Sequence, residues 1–155
     1  MHAVATLSNA QVLPLPLRAT TASPAARPTT LPKLLVIDDD PALLQAFQLR
    51  LSDYYVEMFA AYHGMHGIWL ATTKSPDLIV TDLRMPQGQG DYVMECLKRR
   101  PETASIPVMI LTGRRDHDLT ARLVRLGAVK VLQKPIAFKA LVAEASRYIP
   151  FRRRD

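Results

Sequence analysis

The chain has one cysteine, one tryptophan and six glycines in 155 residues, and no uninterrupted apolar run approaches the length of a bilayer span. A single thiol, Cys96, excludes an internal disulfide framework, and no Cys/His grouping has the spacing of a zinc site. Cys96 falls in a helical stretch, 90–100, and reads as a small half-buried residue. The six glycines form neither a P-loop nor a dinucleotide fingerprint, so no nucleotide-cradling loop is expected. Short apolar runs exclude a helical membrane protein. Aromatic residues make up 6% of the chain and do not interleave with the basic ones, so a stacking platform for single-stranded nucleic acid has no support. A reducing, cytoplasmic setting suits this composition.

Acidic residues are wholly missing from residues 1–32. That segment is rich in Ala, Thr, Leu and Pro, with breaks at Pro14, Pro16, Pro24, Pro28 and Pro32. No helical or strand periodicity survives those prolines, which predicts a disordered leader over 1–32. The start lacks the basic and continuous apolar regions of a secretory signal, and the prolines spoil the amphipathic helix of a transit peptide.

The whole chain is 48% hydrophobic, enough for one packed domain. Short apolar, β-branched runs alternate with longer helical stretches. Strands are expected at Lys33–Ile37, Tyr55–Ala61, Leu78–Thr81, Val108–Leu111 and Val129–Gln133. Helices are expected from Pro41 to about Asp53, Gly64 to Thr73 (with Ile68, Trp69 and Leu70), 90–100, Asp116 to Leu126 and Phe138 to about Tyr148. Asp40-Pro41 supplies an N-cap with proline at the first helical position, and Gly127 a helix stop. Five β/α units predict an α/β flavodoxin-like (βα)5 three-layer sandwich, with a parallel five-stranded sheet in order 2-1-3-4-5 over 33–150. Residues 151–155 form a basic tail.

Four of the strands end in groups suited to phosphoryl chemistry. The first runs into Asp38-Asp39-Asp40, the third into Asp82, the fourth into Thr112 and the fifth into Lys134-Pro135. In the expected strand order, the first and third strands are neighbours at the switch point, where ligand groups collect. Asp38, Asp39 and Asp82 would crowd there. Carboxylates so placed repel unless a cation joins them, and an all-oxygen set suits Mg2+. A carboxylate beside that cation can attack phosphorus, a lysine can hold one phosphoryl oxygen and a threonine hydroxyl another.

With these motifs in hand, residues 33–149 resemble the receiver domain of two-component response regulators. Leu35-Val36-Ile37-Asp38-Asp39-Asp40-Pro41 is similar to the family's acidic strand end, and Asp82-Leu83-Arg84-Met85-Pro86 to its phosphoacceptor strand and loop. Leu111-Thr112-Gly113 is similar to its hydroxyl motif, and Gly127-Ala128 with Lys134-Pro135 to its lysine strand. The resemblance implies Asp82 as phosphoacceptor, Mg2+ on Asp38, Asp39, Asp82 and the Arg84 carbonyl, and Thr112 and Lys134 as switch and signalling residues. It implies a cis Lys134-Pro135 bond and a histidine kinase or histidine phosphotransfer protein as donor. It makes the chain an acceptor rather than an enzyme on free substrates.

Two departures stand out. The family often has an aromatic switch residue three positions before the lysine, where this chain has Val131. The loop Pro86-Gln87-Gly88-Gln89-Gly90 lacks the usual Met-Asp and is expected to be looser. Arg84 and Arg114 lie two residues beyond Asp82 and Thr112, positions that with Gly113 border the family's phosphoryl pocket, and are expected to lengthen the life of the phosphoryl group.

No room for an effector domain follows Lys134, so a single-domain regulator is expected, acting by protein contact or self-association. The face of the fourth helix, fifth strand and fifth helix, with Arg122, Arg125, Lys130 and Lys139, suits an acidic partner. Two other readings compete. One is a phosphorylation-independent scaffold with a degenerate site. The other is a haloacid-dehalogenase-type phosphatase built on Asp38-x-Asp40, Thr112 and Lys134; it would need an acidic pair after the lysine, where only Glu144 and Asp155 follow. Nucleic acid is not expected as a partner, since the basic tail is too short for a helix-turn-helix.

Overall fold

The computed structural model describes residues 30–86 and 90–155; the expected leader falls almost wholly outside them, as does the middle of the Pro86–Gly90 loop. The elements run β1 (Lys33–Ile37), α1 (Pro41–Leu51), β2 (Glu57–Ala61), α2 (Gly64–Lys74), β3 (Leu78–Asp82), α3 (Gly90–Arg99), β4 (Val108–Thr112), α4 (His117–Arg125), β5 (Lys130–Gln133) and α5 (Phe138–Ala145). All sheet pairings are parallel, in the order β2-β1-β3-β4-β5. The sequence-derived architecture is the observed one.

The alternation of side chains along the strands builds two cores. Leu35, Ile37, Ile79, Val108 and Ile110 point to one face, where α2 and α3 bring Ile68, Ala71, Val93, Met94 and Leu97. Leu34, Val36, Leu78, Val80, Met109 and Leu111 point to the other, against Leu44, Phe47 and Leu51 of α1 and Leu141 and Ala145 of α5. Covering both faces is what lets β3 and β4 be apolar at almost every position, and each is buried throughout. Burying a Leu, Ile or Val side chain contributes roughly 1.5–3 kcal/mol, so these central strands carry much of the stability. The last residues of those same strands are the polar Asp82 and Thr112, held buried at one rim by the apolar residues behind them.

Local caps match the expected chemistry. Asp40 accepts hydrogen bonds from the amides of Ala42 and Leu43 at the start of α1. Asp116 does the same for Asp118 and Leu119 at α4. Gly127 takes φ +106° after α4, a backbone that a side chain would strain.

The start of β2 and the end of α5 differ from the sequence-derived elements for physical reasons. Strand β2 begins at Glu57 rather than Tyr55, because the Tyr55 amide donates to Arg152 O (2.8 Å) instead of to a sheet neighbour. The Arg154 amide likewise donates to Asp53 O (2.7 Å), and Phe151 packs edge-on against Tyr54. The backbone of the basic segment is therefore tied to the α1–β2 turn. Helix α5 ends at Ala145, after which Arg147 and Tyr148 donate to Glu144 O and Ala145 O in a tightened turn. Trp69 is 58% exposed, since three successive residues cannot share one helix face; only Ile68 and Leu70 are buried.

Lys98, near the end of α3, is held by the protein rather than by solvent. Its Nζ donates to Ala104 O and Ile106 O, both at 3.0 Å, and burial lowers its pKa. It ties the exit of α3 to the entry of β4. Among the described residues no helix is long and apolar enough to cross a membrane.

Candidate functional site

The carboxyl ends of β1 and β3 lie side by side in register, which brings Asp38, Asp39 and Asp82 together. One carboxylate oxygen from each lies within 4.8 Å of the others. Asp38 and Asp82 are buried and Asp39 is exposed. Asp40, next in sequence, turns its carboxylate into the α1 cap and stands outside this group. That geometry removes the Asp38-x-Asp40 pair that a dehalogenase-type site would need.

Lys134 enters from the end of β5. Its Nζ donates to Asp38 Oδ2 at 2.6 Å and stands 3.4 Å from Asp82 Oδ1. The Lys134 amide donates to Thr112 O (2.8 Å), and the Lys134-Pro135 bond is cis. Asp38 is held further by the Asp40 amide, which donates to its Oδ1 at 2.9 Å.

Electrostatics follow from this crowding. Burial pushes the Asp82 carboxyl above its usual range; Lys134 pulls it down, Asp38 pushes it up, and the Arg84 amide pulls it down again. The net is a carboxyl that holds its proton more tightly than a free aspartate. Burial alone would lower Lys134, but its hydrogen bond and attraction to Asp38, with a smaller share from Asp82, raise it. One ammonium thus touches two of three clustered carboxylates. The site has an excess of buried negative charge and an all-oxygen donor set, which fits a hard divalent cation such as Mg2+.

Thr112 is buried at the end of β4, and its Oγ1 accepts from the Arg114 amide at 3.1 Å. Arg114 Nη2 pairs with Asp116, the α4 cap, at 3.3 Å. Gly113 is exposed, and a Cβ there would meet nothing within 4 Å. Arg84 and Arg114 line an open cavity of about 610 Å3 with Asp39, Leu83, Met85, Pro86, Asp91, Leu119 and Arg122. Val131 is half-buried and lines a second, smaller cavity with Thr112 and the start of α4.

Two features escape a reading of the sequence. Gly90 begins α3 against the site's own backbone: a Cβ there would lie 2.5 Å from Asp82 O and 2.7 Å from Leu83 Cα. Its amide donates to Leu83 O at 2.8 Å. A glycine at a helix start was the only signal. Arg122 is the second. Rather than facing the α4–β5–α5 surface, it pairs with Asp91 of α3 at 2.8 Å, at the cavity mouth. It follows Leu119 by three residues, which puts both on the flank of α4 nearest α3. On the α4–β5–α5 surface Arg125 and Lys139 are exposed, while Lys130 pairs with Glu144 at 3.7 Å.

Residues 34–146 match the response regulator receiver domain. The chain belongs to that family. It is 36% identical over 115 residues to the DNA-binding dual master transcriptional regulator RpaA of Synechocystis, covering 73% of this chain and 47% of that protein. Over 112 residues it is 35% identical to hybrid signal transduction histidine kinase D of Dictyostelium discoideum, covering 72% of this chain and 7% of that protein. The chain therefore spans less than half the length of these relatives. Among solved structures, Vibrio cholerae chemotaxis protein CheY4 superposes with a TM-score of 0.73 at 22% identity, covering 77% of this chain and all of that one. A receiver domain from Clostridium thermocellum superposes at 0.69 with 31% identity, covering 77% of this chain and 94% of the other. Receiver domains are the phosphoacceptor modules of two-component systems, and the α/β architecture here is theirs.

Proposed function

We propose that Asp82 is the phosphoacceptor of this receiver domain and takes its phosphoryl group from a phosphohistidine on a histidine kinase or phosphotransfer protein. The observation that supports this is the meeting of Asp38, Asp39 and Asp82 within 4.8 Å beside Lys134. An Asp82 carboxylate oxygen attacks phosphorus, the P–N bond breaks, and its electron pair leaves on the imidazole, which then carries a ring proton. Residues Asp38, Asp39 and Asp82 with the Arg84 carbonyl would hold Mg2+, which supplies charge neutralisation when bound. Lys134 then exchanges part of its contact with Asp38 for a phosphoryl oxygen. The Thr112 hydroxyl donates to another oxygen, and Arg84 and Arg114 cover the group and slow attack by water.

The phosphorylated form signals by altered contacts on the α4–β5–α5 face, where Arg125 and Lys139 favour an acidic partner or a second copy. Switching proceeds without an aromatic side chain at Val131. The domain works in the cytoplasm as an acceptor, not as an enzyme on free substrates. Intact mass after incubation with acetyl phosphate tests the reading. One Mg2+-dependent phosphoryl adduct on the wild type, missing from Asp82→Asn, is expected. A folded wild type that takes none would favour a phosphorylation-independent scaffold, the reading that Val131 keeps open.

A further inference from the structure

The cavity is lined by Asp39, whose oxygen lies within 4.8 Å of those of Asp38 and Asp82, and by Leu119 and Arg122 of α4. Helix α4 sends Arg122 into this mouth. There the guanidinium meets Asp91, with side chains 54% and 22% exposed, respectively. Among the described residues this is the only ion pair that joins α4 to another element. Leu123 is the only residue of α4 that is fully buried, so the helix is lightly held.

We propose that Arg122 is a positioning residue for the phosphoryl group: on phosphorylation it leaves Asp91, turns onto a phosphoryl oxygen, and carries α4 with it. The proposal rests on Asp82 being the acceptor. Converting that carboxylate to an acyl phosphate adds about one negative charge beside Asp39, the carboxylate of the three that lines the cavity. Half-exposed ion pairs are weakly held, so a nearby dianion competes well for the guanidinium. Asp91 is not left stranded by the exchange. Its Oδ1 keeps the Tyr92 amide at 3.0 Å, and it sits in the first turn of α3, where the helix dipole favours an anion. Loss of the phosphoryl group occurs when water attacks phosphorus, the bond to the Asp82 oxygen breaks, and inorganic phosphate leaves a free carboxylate. A guanidinium over the phosphoryl face obstructs that water.

Asp91 and Arg122 are thus competitors for one role rather than partners in it, and this separates the proposal from a static strap. The wild type, Arg122→Ala, Arg122→Lys and Asp91→Asn are loaded with acetyl phosphate and Mg2+, freed of donor, and followed by intact mass. Arg122→Ala is expected to lose its phosphoryl group about fivefold faster than wild type, the size of effect that a partly exposed charged contact carries. Arg122→Lys recovers part of the difference. Asp91→Asn, which frees the arginine, is expected to lose it more slowly than wild type. Arg122→Ala and Asp91→Asn shifting the same way, as two breaks of one strap would, overturns the exchange, as do unchanged rates. A wild type that takes no phosphoryl group overturns the acceptor reading and the exchange with it. Amide hydrogen exchange gives a second arm: phosphorylation is expected to alter protection over α4 in the wild type, and the same change in Arg122→Ala would contradict the proposal.

Discussion

Lys134 Nζ lies 2.6 Å from Asp38 Oδ2 but 3.4 Å from Asp82 Oδ1, so the ammonium is bound chiefly to Asp38. Under the proposed function, this arrangement would leave Asp82 free for a phosphoryl donor while still lending it positive potential. It also makes Lys134 the partner of an almost fully buried carboxylate. Lys134→Ala is expected to lower stability by about 2 kcal/mol in divalent-free buffer, because Asp38 is left buried and uncompensated. Urea unfolding at neutral pH checks this. The raised pKa of Lys134 fixes the sign: its contribution is full below pH 10.5 and is lost only as pH rises through the still higher folded value.

Asp82 carries the opposite implication. Its pKa is raised, so the folded state binds its proton more tightly than the unfolded chain. Its stabilising share is present below pH 3.8 and is lost as pH rises through the folded value. Asp82→Asn removes that loss. Without divalent cations the variant is expected to unfold a few degrees above wild type at pH 7, a gain of about 1 kcal/mol. The gap should close as pH falls toward 4. Thermal unfolding across pH measures it, and a variant less stable than wild type at pH 7 would contradict the charge account.

Cation binding should offset the same repulsion. Mg2+ at 100 times its dissociation constant is expected to stabilise wild type by about 2.7 kcal/mol through preferential binding to the folded state. Asp38→Asn and Asp39→Asn should both weaken that shift. Melting temperature against Mg2+ concentration is the measurement, and equal shifts in all three proteins would remove these carboxylates from the site.

Gly90 provides a test of the loop that follows Asp82. A methyl group 2.5 Å from Asp82 O forces the backbone to yield, and overpacking of this kind costs about 1–3 kcal/mol. Gly90→Ala should therefore slow acetyl phosphate loading while leaving a cooperative unfolding transition. Gly113→Ala, with open space around its Cβ, should change neither loading nor stability.

The strand ends were legible because parallel strands buried on both faces leave long apolar runs, and a polar residue closing such a run marks a rim. Asp38, Asp82, Thr112 and Lys134 could be placed at one rim on that basis alone. Arg122 could not. Helical periodicity gives the flank on which a side chain lies, but the choice between α3 and α5 depends on how α4 settles on the sheet. Gly90 was hidden for a related reason, since close backbone approach leaves no pattern in the residues around it. The pairing of Arg152 and Arg154 with the α1–β2 turn runs largely through backbone groups, joined by Arg154 Nε donating to Tyr54 O at 2.9 Å, and three arginines in a row give no sign of it.

The most direct test of Asp82 as acceptor is to map the phosphoryl group itself. After loading with acetyl phosphate and Mg2+, borohydride reduces an aspartyl phosphate to homoserine, which peptide mass spectrometry can locate. Homoserine at position 82 alone, dependent on Mg2+, is the expected result. Homoserine at 38 or 39, or at no position in a folded and loaded sample, would contradict the assignment of Asp82 as phosphoacceptor.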